Sequence, residues 1–238
     1  MRKRILIILL VLLAGTITFL YFYKGGELFK KMIGGKSFSE GVIEYDITYP
    51  KLDPNSMMVA GMPDKAYLRF KNNNMSNDMS GMMGLISITY ISNLKNKTVQ
   101  QTLTLINKKY VAEIAPDDLK HLNDSYVSKI EQGKNTSVIA GYKCKEAIAT
   151  LKNGEAVHVF YTNDIGITNP NWSNPYFQLD GVLMDFTMER YGVSMHLKAK
   201  QVLQQKIDEK VFQISDDHKK IQFSELEKIL TELNPGSN

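Results

Sequence analysis

The sequence is short of the residues that most enzymes and metal proteins depend on. It has a single cysteine, Cys144, so an internal disulfide is excluded. Its four histidines, His121, His158, His196 and His218, are scattered, without the H-E-x-x-H spacing that places two imidazoles on one helix face. G-x-S-x-G, the P-loop and G-x-G-x-x-G are all absent. These absences leave no nucleophile–base pair and no phosphate cradle to name, so the chain is read as non-catalytic, with no cofactor and no metal site. Positive charge is also in short supply. Setting aside Arg2, Lys3 and Arg4 takes Lys and Arg from 29 to 26, against 25 Asp and Glu. A nucleic-acid footprint needs a basic face that such a balance does not supply.

What the chain does have begins at its N-terminus. Arg2–Arg4 precede Ile5–Tyr23, nineteen residues without a charge. At helical rise these span roughly 28 Å, close to a bilayer's hydrocarbon core. The run is longer than a usual signal core, no A-x-A site follows it, and Phe19, Tyr21, Phe22 and Tyr23 suit a membrane interface. Residues 1–23 are therefore read as a retained transmembrane anchor, with a cleaved signal and secretion as the alternative. The basic N-terminus places the body on the exported, periplasmic side, although Lys24, Lys30, Lys31 and Lys36 weaken the asymmetry. Residues 24–39, with two Gly pairs, read as a linker, 40–234 as one domain and 235–238 as a tail.

Period-two alternation dominates the body. Ile43, Tyr45, Ile47 and Tyr49 alternate with Glu44, Asp46 and Thr48, and residues 65–71, 85–92, 97–106 and 108–114 continue as strands. Ala115-Pro116-Asp117-Asp118 reads as a helix start. Short strands over 125–131 and 136–140 lead into residues 138–200, the clearest run of strands in the chain. There Val157, Val159 and Tyr161 share one face. Val182, Met184, Phe186 and Met188 share another, and Val193, Met195, Leu197 and Ala199 form the second arm of a hairpin turned at Tyr191-Gly192. Leu226, Ile229, Leu230 and Leu233 give the tail a helical apolar stripe, with Ser224 and Glu227 at capping-box spacing and Pro235-Gly236 as a stop. About ten antiparallel strands and two helices predict an α+β fold. A strongly curved sheet, covered by a few short helices, gives every strand one wet and one dry face.

Four motifs carry a resemblance. They are Gly41-Val42-Ile43-Glu44-Tyr45, Ala140-Gly141-Tyr142-Lys143-Cys144-Lys145-Glu146-Ala147, Phe160-Tyr161-Thr162-Asn163-Asp164-Ile165 and, more loosely, Leu179-Asp180-Gly181-Val182-Leu183. Together they resemble a group of exported Bacteroidota proteins with G-L-P-G-L-I-like motifs. The resemblance implies a fold similar to the periplasmic lipoprotein carriers LolA and LolB, a half-barrel whose concave apolar interior is covered by helices. Those carriers lack such an anchor, so a tethered acceptor or sensor suits this chain better than a shuttle.

Candidate ligand-facing residues come from three places. Seven methionines crowd residues 57–83, and four of them, Met75, Met79, Met82 and Met83, are taken as a pliable apolar lining. The asparagines and serines between them give the segment a loop-like appearance. Strand parity adds Tyr142, Val159, Met184, Phe186 and Met195 as a concave wall. Trp172, in the Pro/Asn-rich loop 163–178, is taken as a cap over one mouth. Cys144 is read as a small buried hydrophobe. The expected function is a membrane-tethered envelope domain that binds a hydrophobic ligand, a lipid or a lipoprotein acyl chain. One alternative is an interaction protein without a ligand. Another is copper(I) handling by the methionine thioethers.

Overall fold

A computed structural model describes residues 38–233. The anchor read at residues 1–23, most of the linker and the tail lie outside the described residues. Within them, no helix is long and apolar enough to cross a membrane. The body begins at Phe38, whose ring stacks on Phe70 at 5.8 Å and whose carbonyl accepts a hydrogen bond from Gly166 N at 3.0 Å.

The alternating segments form strands. In order they are β1 (Glu40–Thr48), a short helix α1 (Met57–Gly61), β2 (Lys65–Lys71), β3 (Asn74–Gly81), β4 (Ile86–Asn93), β5 (Thr98–Leu105) and β6 (Lys108–Glu113). There follow α2 (Pro116–Asp124), β7 (Val127–Ile139), β8 (Tyr142–Leu151), β9 (Ala156–Thr162), β10 (Val182–Arg190), β11 (Val193–Leu203), β12 (Lys219–Lys220) and α3 (Phe223–Glu232). All twelve strands join one open sheet, in the order β12-β6-β5-β4-β3-β2-β1-β11-β10-β9-β8-β7. The fold is α+β and mainly antiparallel. The exception to the expected all-antiparallel pairing is β12, which lies parallel to β6 through Lys219 and Lys220.

Three local expectations need correction. The Met-rich segment is not mostly loop. β3 runs through it, because Met75, Asn77 and Met79 alternate with Ser76, Asp78 and Ser80 and the polar members disguise the period. The two short strands around Gly133 are one thirteen-residue strand, β7, whose register against β8 slips between Gln132 and Thr136. The capping box is not formed. Gln222 is the N-cap of α3 and Ser224 lies inside the helix, without a side-chain cap bond.

The β7 irregularity is held by a carboxylate. Glu146, only 2% exposed, accepts from Lys134 N at 3.1 Å, Asn135 N at 3.0 Å and Asn135 Nδ2 at 2.9 Å, and pairs with His158 Nδ1 at 2.8 Å. A Cβ at Gly133 would sit 2.4 Å from this side chain, so the site requires glycine. The donated hydrogen bonds, first those of Asn135 and then that of His158, lower the Glu146 pKa from 4.5 to about 2. A folded-state pKa below the unfolded value gives stability that is present above the unfolded value and lost as pH falls through the folded one. Acid titration of wild type should therefore show a loss of stability between about pH 4.5 and pH 2. Glu146→Gln should be less stable at neutral pH and should lose part of that slope, the rest belonging to Asp217 and the other carboxylates held below their ordinary range, as read by urea denaturation at several pH values. An unchanged slope would mean that Glu146 is not the group responsible.

The interior face of the sheet is filled at its two ends. At one end β7–β11, β1 and β2 pack against the loop between β9 and β10, which contributes Ile165, Ile167, Tyr176 and Leu179. At the other, Val99, Leu103 and Ala112 of β5 and β6 pack against Leu122 of α2 and Phe223, Leu226 and Leu230 of α3. Trp172 packs against both clusters. The sheet bends between them. Tyr90 on β4 and Tyr191 at the β10–β11 turn are separated by β3, β2 and β1, yet their hydroxyls lie 3.0 Å apart. Four strand spacings on a flat sheet would hold them about 19 Å apart.

Candidate functional site

Between the two filled ends lies a cavity of about 650 Å³. Binding sites for small molecules commonly enclose roughly 300–1,000 Å³. Its wall is the inner face of β1–β5, β10 and β11, through side chains such as Tyr45, Ala66, Leu68, Ile88, Phe186 and Leu197. α1 and the residue after it close one side with Met57, Met58 and Met62. The loop before β10 contributes Pro170, Asn171, Ser173 and Asn174, and the end of α3 adds Leu230 and Leu233.

Eight of the chain's twelve methionines line this space, from α1, β3, the β3–β4 tip, β10 and β11. A thioether side chain is flexible and polarisable, so such a wall adapts to an irregular apolar guest. At the mouth, α1 rests directly on the β3–β4 hairpin. A Cβ at Gly81 would lie 2.6 Å from Gly61 O and 3.0 Å from Pro63, a contact only glycine allows. The tip of that hairpin places Met82 and Met83 at φ values of 47° and 56°, the left-handed region. Met57, Met82 and Met83 stand 93%, 49% and 102% exposed, so the mouth is rimmed with apolar surface.

The wall's phenols are largely neutralised as polar groups. Tyr45 donates to Leu183 O at 2.9 Å and Tyr49 to Pro63 O at 2.6 Å, and burial raises both pKa values. Their rings therefore face the cavity while their hydroxyls are engaged in the scaffold.

The candidate residues from sequence fall into two groups. Met75, Met79, Met82, Phe186 and Met195 line the cavity. The other five lie elsewhere. Val159 is fully buried in the filled end, against the loop before β10. Met184 is also fully buried. The β10–β9 register slips across it, between the Leu183–Tyr161 and Asp185–Phe160 pairs, so Leu183 lines the cavity instead. Tyr142 is half-buried at the start of β8 and packs on the core, with its pKa raised by burial. Trp172 wedges between the two clusters, with Lys97 Nζ 5.0 Å from its ring centre, while its loop neighbours reach the cavity. Met83 points away at the rim. Sequence reasoning did not single out α1, Tyr45 or Tyr90 as wall residues. The alternation of Ile43, Tyr45, Ile47 and Tyr49 was the available signal for Tyr45.

Cys144 is fully buried and donates to Tyr142 O at 3.4 Å, as befits a small core side chain. One arrangement imitates a catalytic relay. His196 Nε2 lies 2.6 Å from Asp185 Oδ1, and His196 Nδ1 lies 3.5 Å from Thr48 Oγ1. It stands on the face opposite Met195 and Leu197, away from the cavity, and Lys198 shares the same carboxylate at 3.0 Å. An ion-pair network on the face away from the cavity accounts for it.

No protein-family model and no curated protein sequence matches the chain.

Proposed function

We propose that this protein is a non-catalytic binding module of the cell envelope. It is tethered by its N-terminal segment with the body on the periplasmic side, and it holds a lipid or lipoprotein acyl chain in a half-barrel of the LolA/LolB kind. The observation that carries the reading is the 650 Å³ apolar cavity with its eight methionines. The bend between β11 and β4 and the α3 helix over the β5–β6 end fit a half-barrel. The apolar rim fits a guest that arrives from a greasy surface, because burying exposed Met and Leu on transfer is favourable at roughly 25 cal/mol per Å².

Mass spectrometry of organic extracts from the purified full-length chain tests the proposal. Co-purifying acyl lipid at near-stoichiometric amounts is the expected result. Absence of lipid, together with failure of a fluorescent long-chain fatty acid to bind, would overturn it and favour an interaction protein without a ligand. The copper(I) alternative separates cleanly. Met→Leu changes at Met75 and Met79 keep apolar volume but remove the thioethers, so they should leave lipid binding within about three-fold while abolishing any metal binding.

A further inference from the structure

The cavity is not uniformly apolar. Ser92 and Val99 face one another across β4 and β5, and the next pair on the same face is Tyr90 and Gln101. Tyr90 also pairs with Asn77 of β3, so Asn77, Tyr90 and Gln101 form a polar row across the sheet. Ser92 lies six residues along β4 from Ile86, and both line the cavity. At strand rise that is roughly 20 Å from the methionine-rich mouth.

The hydrogen bonds at this end run in one direction. Tyr191 donates its single hydroxyl hydrogen to Gln101 Oε1 at 2.7 Å, so the 3.0 Å contact with Tyr90 is a bond that Tyr191 accepts. The acceptor end of the Gln101 amide is thereby used. Ser92 Oγ, on a residue 3% exposed, has no hydrogen-bond partner among the described residues, and Gln101, with no exposure, lies behind the wall with its amide against the Tyr90 and Tyr191 hydroxyls. A buried polar group without a partner costs roughly 1–3 kcal/mol, so the Ser92 hydroxyl, on a residue that lines the cavity, is anomalous in a purely structural role. Arg190 also lines the cavity, and among the described residues its guanidinium makes one bond, Nη1 to Leu122 O at 3.3 Å. Its charge acts on the Tyr90 and Tyr191 hydroxyls more strongly than the carboxylate of Glu227, the acidic group that faces Tyr90 from α3.

We propose that Ser92 and Arg190, both on the cavity wall, form the head-group subsite of the cavity, and that the ligand is a single-chain amphiphile whose carboxylate binds there while its chain extends toward the methionine mouth. The proposal rests on the apolar-ligand reading and adds a polarity to it. A fatty acid supplies acceptor oxygens to the two donors, and the Arg190 charge favours an anion over a neutral head.

Competition against a bound fluorescent long-chain fatty acid tests it on the purified full-length chain. Palmitic acid should displace the probe at least about ten-fold more effectively than hexadecane or hexadecylamine. Ser92→Ala and Arg190→Gln should each weaken palmitic acid by roughly ten-fold and leave hexadecane unchanged. Ser92→Ala removes one atom from a well-packed strand, and so keeps the test open if a larger change disturbs folding. If acid, amine and hydrocarbon compete equally and the variants alter none of them, the subsite is wrong although the cavity reading stands. If none of the three displaces or binds, the cavity reading itself has failed.

Discussion

Tyr176→Ala should cost the fold about 3–5 kcal/mol, the range for removing a fully buried aromatic side chain. Tyr176 has no exposure and sits in the loop before β10. Its hydroxyl donates to Thr187 O on β10, and its ring meets Phe186 edge-on at 6.0 Å, with an interplanar angle of 79°. Phe186 in turn meets Tyr45 edge-on at 6.0 Å, and both of these line the cavity. Tyr176 is therefore the backing of the cavity wall. The loop that presents it is tied down by Asn171, whose amide donates to Leu179 O at 2.9 Å and Gly181 O at 2.8 Å, and by Asn174 Oδ1, which accepts from Tyr176 N at 2.9 Å. Removing the ring leaves a void behind Phe186 and an orphaned carbonyl at Thr187. A domain of this kind has roughly 5–15 kcal/mol in total, so the variant should be marginal at room temperature. Tyr176→Phe keeps the packing and loses one bond, so it should cost only about 1 kcal/mol. Urea denaturation of the pair checks both. A cost below about 1 kcal/mol for alanine would show that the loop is not part of the cooperative core.

Much of the fold was legible because alternation survives wherever one face is dry. The strand expected at 65–71 is β2, Lys65–Lys71, and the expected 85–92 and 97–106 overlap β4 and β5 within a residue at either end. β3 escaped notice because its alternate positions are Asn, Ser and Asp, residues that also signal turns. It forms because Met75 pairs with Phe70 and Met79 with Ala66 on the apolar face, a benefit that exists only once β2 is beside it. The gap at Gly133 looked like a strand break because glycine is ambiguous between turn and irregularity. Only Glu146, twelve or more residues further on, decides it.

The site was legible in half its residues for a related reason. Parity gives the face of a strand but not what that face meets. Val159 and Leu183 lie on the same inner face through the Val159–Ala147, Lys145–Tyr161 and Tyr161–Leu183 pairings. One meets a loop and becomes core, while the other meets open space and becomes wall. Met184 was misplaced because a register slip is a property of two strands, and nothing in the uninterrupted alternation of Val182, Met184 and Phe186 announces it. The unpaired Ser92 hydroxyl carries no sequence signal at all. Serine in a strand looks like an ordinary solvent-face residue until the bend of the sheet encloses it.

Filling the cavity should separate binding from stability in opposite directions. Ala66 is 6% exposed and lines the cavity from β2, with Tyr45 on one side and Met79 on the other. Ala66→Phe sends a benzyl group into the middle of the space, across the path from the mouth to Ser92. Binding of the fluorescent fatty acid should fall at least ten-fold, because the ring occupies volume that the acyl chain needs. Damage to the fold would also lower binding, but it would lower the melting temperature with it. Here the ring gains dispersion contacts with side chains that border open space, so stability should hold or rise by about 0.5–2 kcal/mol, the usual gain for filling a cavity. A melting temperature that rises while binding falls is a pair of results that misfolding cannot give. Unchanged binding in a folded Ala66→Phe variant would mean that the ligand does not enter between β1 and β4, and the rim methionines would then have to bind it from outside. If stability instead falls by the 1–3 kcal/mol typical of overpacking, the space at Ala66 is narrower than its volume suggests. Leu68→Phe, one pair further along β2, would then be the better obstruction, because Leu68 already reaches across to Ile43 and Asn77 on the same face.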